Sequence, residues 1–345
     1  MKLATALSIL GAVVLVALAV QAWWATRRAK PRQARDTVPA ALAHGHERVE
    51  PALDGPAVQG ADDTPLRAGP KRSARLDALI DAIVTLRLDA PVSGEHVLQH
   101  MPSSRRAGTK PFYVEGLDTE TGQWDMPAAN HRYGELQAGV QLANRSGPLN
   151  EIEYSEFVQK VQDFAESVGA TADVPDMLEV VARARELDGQ AAPLDAQLSV
   201  TLRTNGVAWS VGFVQQVATR QGLVAGQVPG RWVLPSAEEG APPMLVLSVD
   251  SQAALNDDPQ GAVVRECQLS LDVPQTPASV EPFPAWHLMG KQLADDLDAT
   301  AVDDQGQAIT LHAFDAIGKE IDDLYQRLEH LDLAAGSPAA RRLFS

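Results

Sequence analysis

The chain has 345 residues, with 45 acidic against 29 basic side chains and a formal net charge of −16. This balance excludes a nucleic-acid-binding function, because a phosphate backbone requires clustered Lys and Arg. The single cysteine, Cys267, excludes an intrachain disulfide and a thiolate metal cluster. Its apolar neighbours predict a buried thiol rather than a nucleophile.

An uncharged apolar segment, Leu3 to Thr26, lies near the N-terminus and ends with two tryptophans. At about 1.5 Å per residue, a helix of this length spans a hydrocarbon core of about 30 Å. Basic residues follow it at Arg27, Arg28, Lys30, Arg32 and Arg35. They place the C-terminal part in the cytoplasm by the positive-inside rule. A cleaved signal peptide is the alternative, which the long apolar run and the basic flank disfavour.

Residues 27–72 are rich in Ala, Pro, Gly and charged residues and contain few large apolar side chains. Such a composition cannot bury enough surface to offset its conformational entropy, so it predicts a flexible tether. The last residues, 336–345, are predicted to be a basic tail that ends in Leu343 and Phe344.

Between tether and tail, several short motifs occur twice in the same order. The two members of each of four pairs start at Val84 and Val200, at Val92 and Ser210, at Thr121 and Pro229, and at Glu135 and Glu266. The repeated order predicts a degenerate tandem duplication, with one unit at 73–189 and a second at 190–335.

Periodicity predicts the elements of both units. In the first unit the predicted helices run from about Ser93 to Met101, Ile152 to Val168 and Asp176 to Leu187. In the second unit the predicted strands are 198–203, 231–234, 244–249, 267–273 and 299–302. Its predicted helices are 210–220, capped by Ser210 and ended by Gly222, 284–297 and 310–331. This order predicts an α+β fold, with helices on one face of a mostly antiparallel sheet.

Sequence motifs for catalysis are absent: there is no phosphate-binding glycine loop, no His-Glu-x-x-His and no Gly-x-Ser-x-Gly. His96 and His100 are four residues apart on a predicted helix, but no acidic or cysteine partner is predictable nearby. We therefore predict no enzyme activity, no cofactor, no metal and no small-molecule substrate. The face of the sheet without helices is either a peptide-binding groove or an inert polar surface.

Several segments resemble the ZipA family of bacterial division proteins. The apolar start ending in Gln21-Ala22-Trp23-Trp24 and the following tether are similar to that family. So are Gln221 to Gly226, Pro243 to Leu247 and Leu269 to Pro274 of the second unit. The resemblance covers about 195–331 well and 75–188 more weakly. It implies a six-stranded sheet backed by three helices and an inner-membrane protein that binds the C-terminal tail of FtsZ at the septum.

The resemblance also implies the residues that contact the FtsZ tail on the open face. They are Thr201, Arg203, Trp232, Met244, Val246, Ser248 and Ser270. Serine, threonine and arginine stand where the family has mostly apolar side chains. Each Å² of lost apolar contact costs roughly 25 cal/mol, so we expect weaker FtsZ binding, or binding shared between the units. A structural membrane adaptor and an exported ligand-binding protein are the alternative functions.

Overall fold

The computed structural model describes residues 75–255, 262–303, 305–309 and 311–345. The predicted anchor at 3–26 and tether at 27–72 lie outside these residues. Within the described part of the chain, no helix is long and apolar enough to cross a membrane.

Sixteen strands and eight helices are described. The strands are β1 (Asp81–Ser93), β2 (Arg106–Ala107), β3 (Lys110–Asp118), β4 (Trp124–Asp125), β5 (Arg132–Gln141), β6 (Ala143–Asn144), β7 (Gly147–Pro148), β8 (Ala170–Asp173), β9 (Gln197–Thr204), β10 (Trp209–Ser210), β11 (Val224–Ala225), β12 (Arg231–Leu234), β13 (Leu245–Ser248), β14 (Val263–Val264), β15 (Glu266–Asp272) and β16 (Ala299–Val302). The helices are α1 (Gly94–His100), α2 (Glu151–Val168), α3 (Met177–Ala191), α4 (Val211–Arg220), α5 (Ser251–Ala254), α6 (Pro282–Leu297), α7 (Leu311–His330) and α8 (Pro338–Leu343).

Twelve of these strands form two six-stranded sheets, one in each half of the described chain, and the other four form the two-stranded sheets β6-β7 and β10-β14. The N-terminal sheet has the order β2-β3-β5-β1-β8, with β4 also paired to β3, and the C-terminal sheet has the order β11-β12-β13-β15-β9-β16. Every pairing within them is antiparallel. The predicted α+β class with antiparallel sheets is therefore confirmed.

The two sheets place corresponding strands in the same order: β3, β5, β1 and β8 in one, and β13, β15, β9 and β16 in the other. The register also agrees with two of the repeated motifs. Val84 lies opposite Ala138, and Val200 lies opposite Leu269. The pair that starts at Thr121 and Pro229 does not fit. Trp124 lies in β4, which follows β3 along the chain, whereas Trp232 lies in β12, which precedes β13, the strand that corresponds to β3. That pair of motifs is not structurally equivalent.

Local capping explains where several helices begin. The Ser210 side chain accepts from the backbone N–H of Phe213 at 3.1 Å, and α4 ends before Gly222, whose φ is +85°. Asn150 and Glu153 form a capping box at the start of α2, which satisfies N–H groups that have no partner inside the helix. The predicted helix starts and ends in the second unit agree with the structure to within two residues.

The buried apolar residues of both halves form one continuous cluster. Arg145, in the β6–β7 hairpin, reinforces the junction by contacting Asp195 at 2.6 Å and Asp272 at 2.8 Å. The C-terminal residues are also part of the fold. The predicted tail forms α8, and both Leu343 and Phe344 are buried, so 336–345 does not extend away from the folded body.

Candidate functional site

Side-chain alternation gives the C-terminal sheet two unlike faces. Val200, Leu202, Leu247 and Leu269 point inward and are buried, because successive residues of a strand point to opposite sides. Helix α6 packs against β9, β15 and β16 on this side. The indole Nε1 of Trp286 donates to the Leu269 carbonyl at 3.1 Å, which fixes the helix to the sheet.

The opposite face carries a continuous row of small side chains across five strands. Cross-strand pairing aligns Val224, Val233, Val246, Ser270 and Ser199 in that order. Val224 is half exposed, and Val233 and Val246 are partly exposed. The three valines form an apolar patch, called here the valine strip, on β11, β12 and β13.

The next rows of the same face are polar. One row joins Arg231, Ser248, Gln268 and Thr201 and ends at Val302, which is buried. Beyond it, Arg203 lies opposite Glu266 and its guanidinium is 3.5 Å from that carboxylate, with both side chains more than half exposed. An exposed pair of this kind contributes little to stability, so both side chains remain free to contact a ligand.

Five of the seven predicted contact residues lie together on this face. They are Thr201, Arg203, Val246, Ser248 and Ser270. Ser270 donates its hydroxyl to the Val246 carbonyl at 3.3 Å. Met244 precedes β13 and lines a cavity of about 240 Å³ with Leu234, Pro242 and Pro277. The face therefore offers an apolar strip and a polar border, and a cavity lies next to the start of β13.

Trp232 does not lie on the open face. It is 4% exposed and pairs with Leu247, which is fully buried, so its indole belongs to the core. The prediction that it contacts a partner on the open face is therefore wrong. Val224 and Val233 occupy the open face instead, and neither was among the predicted contact residues. The strand Arg231–Leu234 is short and mostly apolar, so its pattern gave no signal for Val233.

The corresponding face of the N-terminal sheet is covered. Tyr113, Glu115 and Gln137 point away from the helices, yet Glu115 has no exposed surface. Backbone N–H groups of Arg75 and Leu76 donate to its carboxylate, and Arg342 lies over the Tyr113 ring at 5.0 Å. Residues of the chain itself therefore cover the outward face of the N-terminal sheet, whereas the valine strip of the C-terminal sheet is partly exposed.

Within the described residues, three side chains are close enough together to hold a metal ion. Asp118, Asp125 and His131 each offer a ligand atom, and these atoms lie within 4.8 Å of one another. Asp118 already accepts from the N–H groups of Glu120 and Thr121 and from His131. The hydrogen bond from His131, followed by those backbone bonds, lowers the pKa of Asp118 to about 2. Each Asp118 oxygen thus has a partner, and the group stabilises the β3–β4 turn.

The Cys267 thiol and the His96–His100 pair are the next candidates for reactive groups. Burial raises the pKa of the Cys267 thiol to about 12, with the Glu266 charge adding to the shift, so the thiolate required for nucleophilic attack is not formed near neutral pH. The rings of His96 and His100 are 4.4 Å apart, and His100 Nδ1 is 2.8 Å from the His96 carbonyl oxygen of the same helix. Neither group forms a catalytic arrangement.

Comparison with protein-family models and with curated proteins gives no match for this chain.

Proposed function

We propose that the chain is a single-pass inner-membrane division protein of the ZipA type. Its N-terminal helix would anchor it, and its cytoplasmic C-terminal unit would bind the C-terminal tail of FtsZ. In this role it links the FtsZ ring to the membrane at the septum. The proposal includes no catalytic step, cofactor or small-molecule substrate.

One observation carries the proposal: the C-terminal sheet has an accessible face with an apolar strip bordered by hydrogen-bonding side chains. A peptide can bury its apolar residues on Val224, Val233 and Val246. Ser248 and Gln268 then offer donors and acceptors to its polar groups. Peptide recognition combines such apolar contacts with directional hydrogen bonds.

Binding of a fluorescently labelled FtsZ tail peptide to the full chain in lipid nanodiscs tests the proposal. Fluorescence anisotropy should give saturable binding that Val233→Asp weakens at least tenfold, because a carboxylate would have to be desolvated on the strip. Val263→Asp is the matched control, since Val263 is 47% exposed on β14, outside the sheet. Equal binding by the two variants, or none by the unmodified chain at high micromolar peptide, would reject the proposal.

A further inference from the structure

The outward face of the N-terminal sheet, on the side away from the helices, contains a fully buried acidic side chain, Glu115. Glu115 lies in β3 opposite Gln137 of β5, and Gln137 Nε2 donates to Glu115 Oε2 at 3.0 Å. An ionised carboxylate on an outward face normally stays in water, because burial without partners is costly. Glu115 is buried because the chain's own residues cover it.

The covering residues, Arg75 and Leu76, are called here the leading residues. Their two consecutive backbone N–H groups donate to Glu115 Oε1, that of Leu76 at 3.0 Å. Charge-assisted bonds of this kind are stronger than bonds between neutral groups. Two consecutive N–H groups that reach one oxygen belong to a turn of the chain, because they point to opposite sides in an extended strand. Since both donors are backbone groups, Glu115 contacts this turn irrespective of its side chains.

A notch beside Glu115 accepts the Leu76 side chain. Gly139 lies opposite Tyr113 in the sheet, and a Cβ built on Gly139 would stand 2.5 Å from Leu76 Cδ2. The missing side chain at 139 therefore makes room for Leu76. The site thus combines a backbone acceptor with an apolar notch, which are the two parts of a peptide-binding site.

The C-terminal helix closes the site from the other side. Arg342 Nη1 donates to the Arg75 carbonyl and, at 2.8 Å, to Asp81 Oδ2. Its guanidinium lies 5.0 Å from the centre of the Tyr113 ring, and its own carbonyl accepts from Gln141 Nε2 at 2.7 Å. Residues near the two ends of the described chain are therefore held together on one sheet face.

From these contacts we infer that the outward face of the N-terminal unit is a binding site for a backbone turn, occupied in cis by the chain's own leading residues and closed by Arg342. A segment bound in cis competes at an effective concentration that reaches millimolar for short flexible connections. A free peptide at micromolar concentration is therefore excluded from this face while Arg342 holds the leading residues in place. The inference concerns the N-terminal unit alone and does not depend on what the C-terminal unit binds.

Amide hydrogen exchange of the full chain in nanodiscs tests whether Arg342 holds the leading residues on the sheet face. Arg342→Ala should raise amide exchange at residues 75–76 at least tenfold, because their N–H groups lose a closed environment. Arg341→Ala is the matched control: the neighbouring arginine is equally shielded but pairs with Glu238 at 2.6 Å. Exchange in β1 and β5 verifies that the N-terminal sheet of each variant is folded. Equal exchange at 75–76 in both variants would overturn the inference.

A second variant covers the case in which Arg342→Ala unfolds the N-terminal unit. Leu76→Asp leaves every core residue in place but removes the side chain that fills the notch. A labelled peptide with the unmodified sequence of residues 70–79 should bind this variant at micromolar concentration and bind the unmodified chain at least tenfold more weakly. Absence of binding to the variant would show that the face is no peptide site. Equal binding to both chains would show that the leading residues do not occupy it.

Discussion

The two halves of the molecule use the same arrangement of strands in opposite ways. In the N-terminal unit, Glu115 and Gly139 of the open face are covered by Leu76 and its neighbours. In the C-terminal unit, the corresponding face presents Val224, Val233 and Val246 without such a cover from the described residues. A sheet face is therefore not a binding site by virtue of its topology. What already lies on it decides whether it is available.

The largest expected effect comes from two neighbouring residues that lie on opposite faces of β12. Trp232→Ala should lower the free energy of unfolding by about 3–5 kcal/mol, because it leaves a cavity in the core. Val233→Ala should cost less than about 1 kcal/mol, since its side chain is only partly buried. Urea unfolding followed by circular dichroism measures both.

Binding of the FtsZ tail peptide should change in the reverse order. Val233→Ala should weaken it severalfold, whereas the folded fraction of Trp232→Ala should bind normally. If folded Trp232→Ala loses binding and Val233→Ala does not, the assignment of the two faces is wrong.

The coupling of the two halves gives the next effect. Arg145→Ala should destabilise the protein by about 1–3 kcal/mol, because it leaves Asp195 and Asp272, both about one-quarter exposed, without their shared guanidinium. Thermal unfolding by calorimetry should also become broader as the halves lose cooperativity.

Arg185→Ala is the control for the Arg145 variant. Its ion pair with Glu151 is mostly exposed, and loss of such a pair should cost less than about 0.5 kcal/mol. Equal destabilisation by the two variants would show that the contact of Arg145 with both aspartates has no special role.

The sequence predicted the regular elements of the fold well, because their signals are local. Ser210 marked the start of α4, and the alternation from Leu198 to Arg203 marked β9. The face of Trp232 could not be predicted with the same certainty. The strand Arg231–Leu234 is short, and three of its four residues are apolar, so the pattern does not distinguish inside from outside.

Features that depend on distant contacts were missed for a different reason. The segment 336–345 looks like a tail because it is short and basic, and its burial depends on Asp81 and Tyr113, far away in sequence. The cover over Glu115 likewise arises from residues about forty positions away. Neither contact has a local pattern that the sequence alone reveals.

A smaller effect tests the polar part of the open face. Thr201→Val replaces a hydroxyl by a methyl group beside the row that contains Ser270 and Ser199. If a bound peptide covers about 40 Å² of new apolar surface there, at roughly 25 cal/mol per Å², affinity for the FtsZ tail should rise about fivefold. Titration calorimetry measures the change. Thr171→Val, at an exposed position of β8 in the N-terminal sheet, is the control, and an equal gain there would indicate non-specific adhesion.

The smallest expected effect is the pH dependence of the β3–β4 turn in the covered half. The hydrogen bond to Asp118 raises the pKa of His131 above its ordinary value of 6.5, with further contributions from Asp125 and Glu120. The stabilisation is therefore fully present below about pH 6.5 and is lost as pH rises through the raised pKa of His131. The pKa of Asp118 is lowered from 3.8 to about 2, so its stabilisation is present above about pH 4 and is lost as pH falls toward 2.

His131→Gln should consequently speed amide exchange in residues 118–131 by about two- to fivefold between pH 4 and 6.5, with a smaller difference at pH 9. His96→Gln is the control, because His96 has no carboxylate partner in the part of the chain that the structure describes. A difference between His131→Gln and the unmodified chain that stays constant from pH 5 to 9 would mean that the ring acts by packing alone. Peptide binding at the valine strip should be the same in His131→Gln, His96→Gln and the unmodified chain, since the two halves share a core but not a binding face.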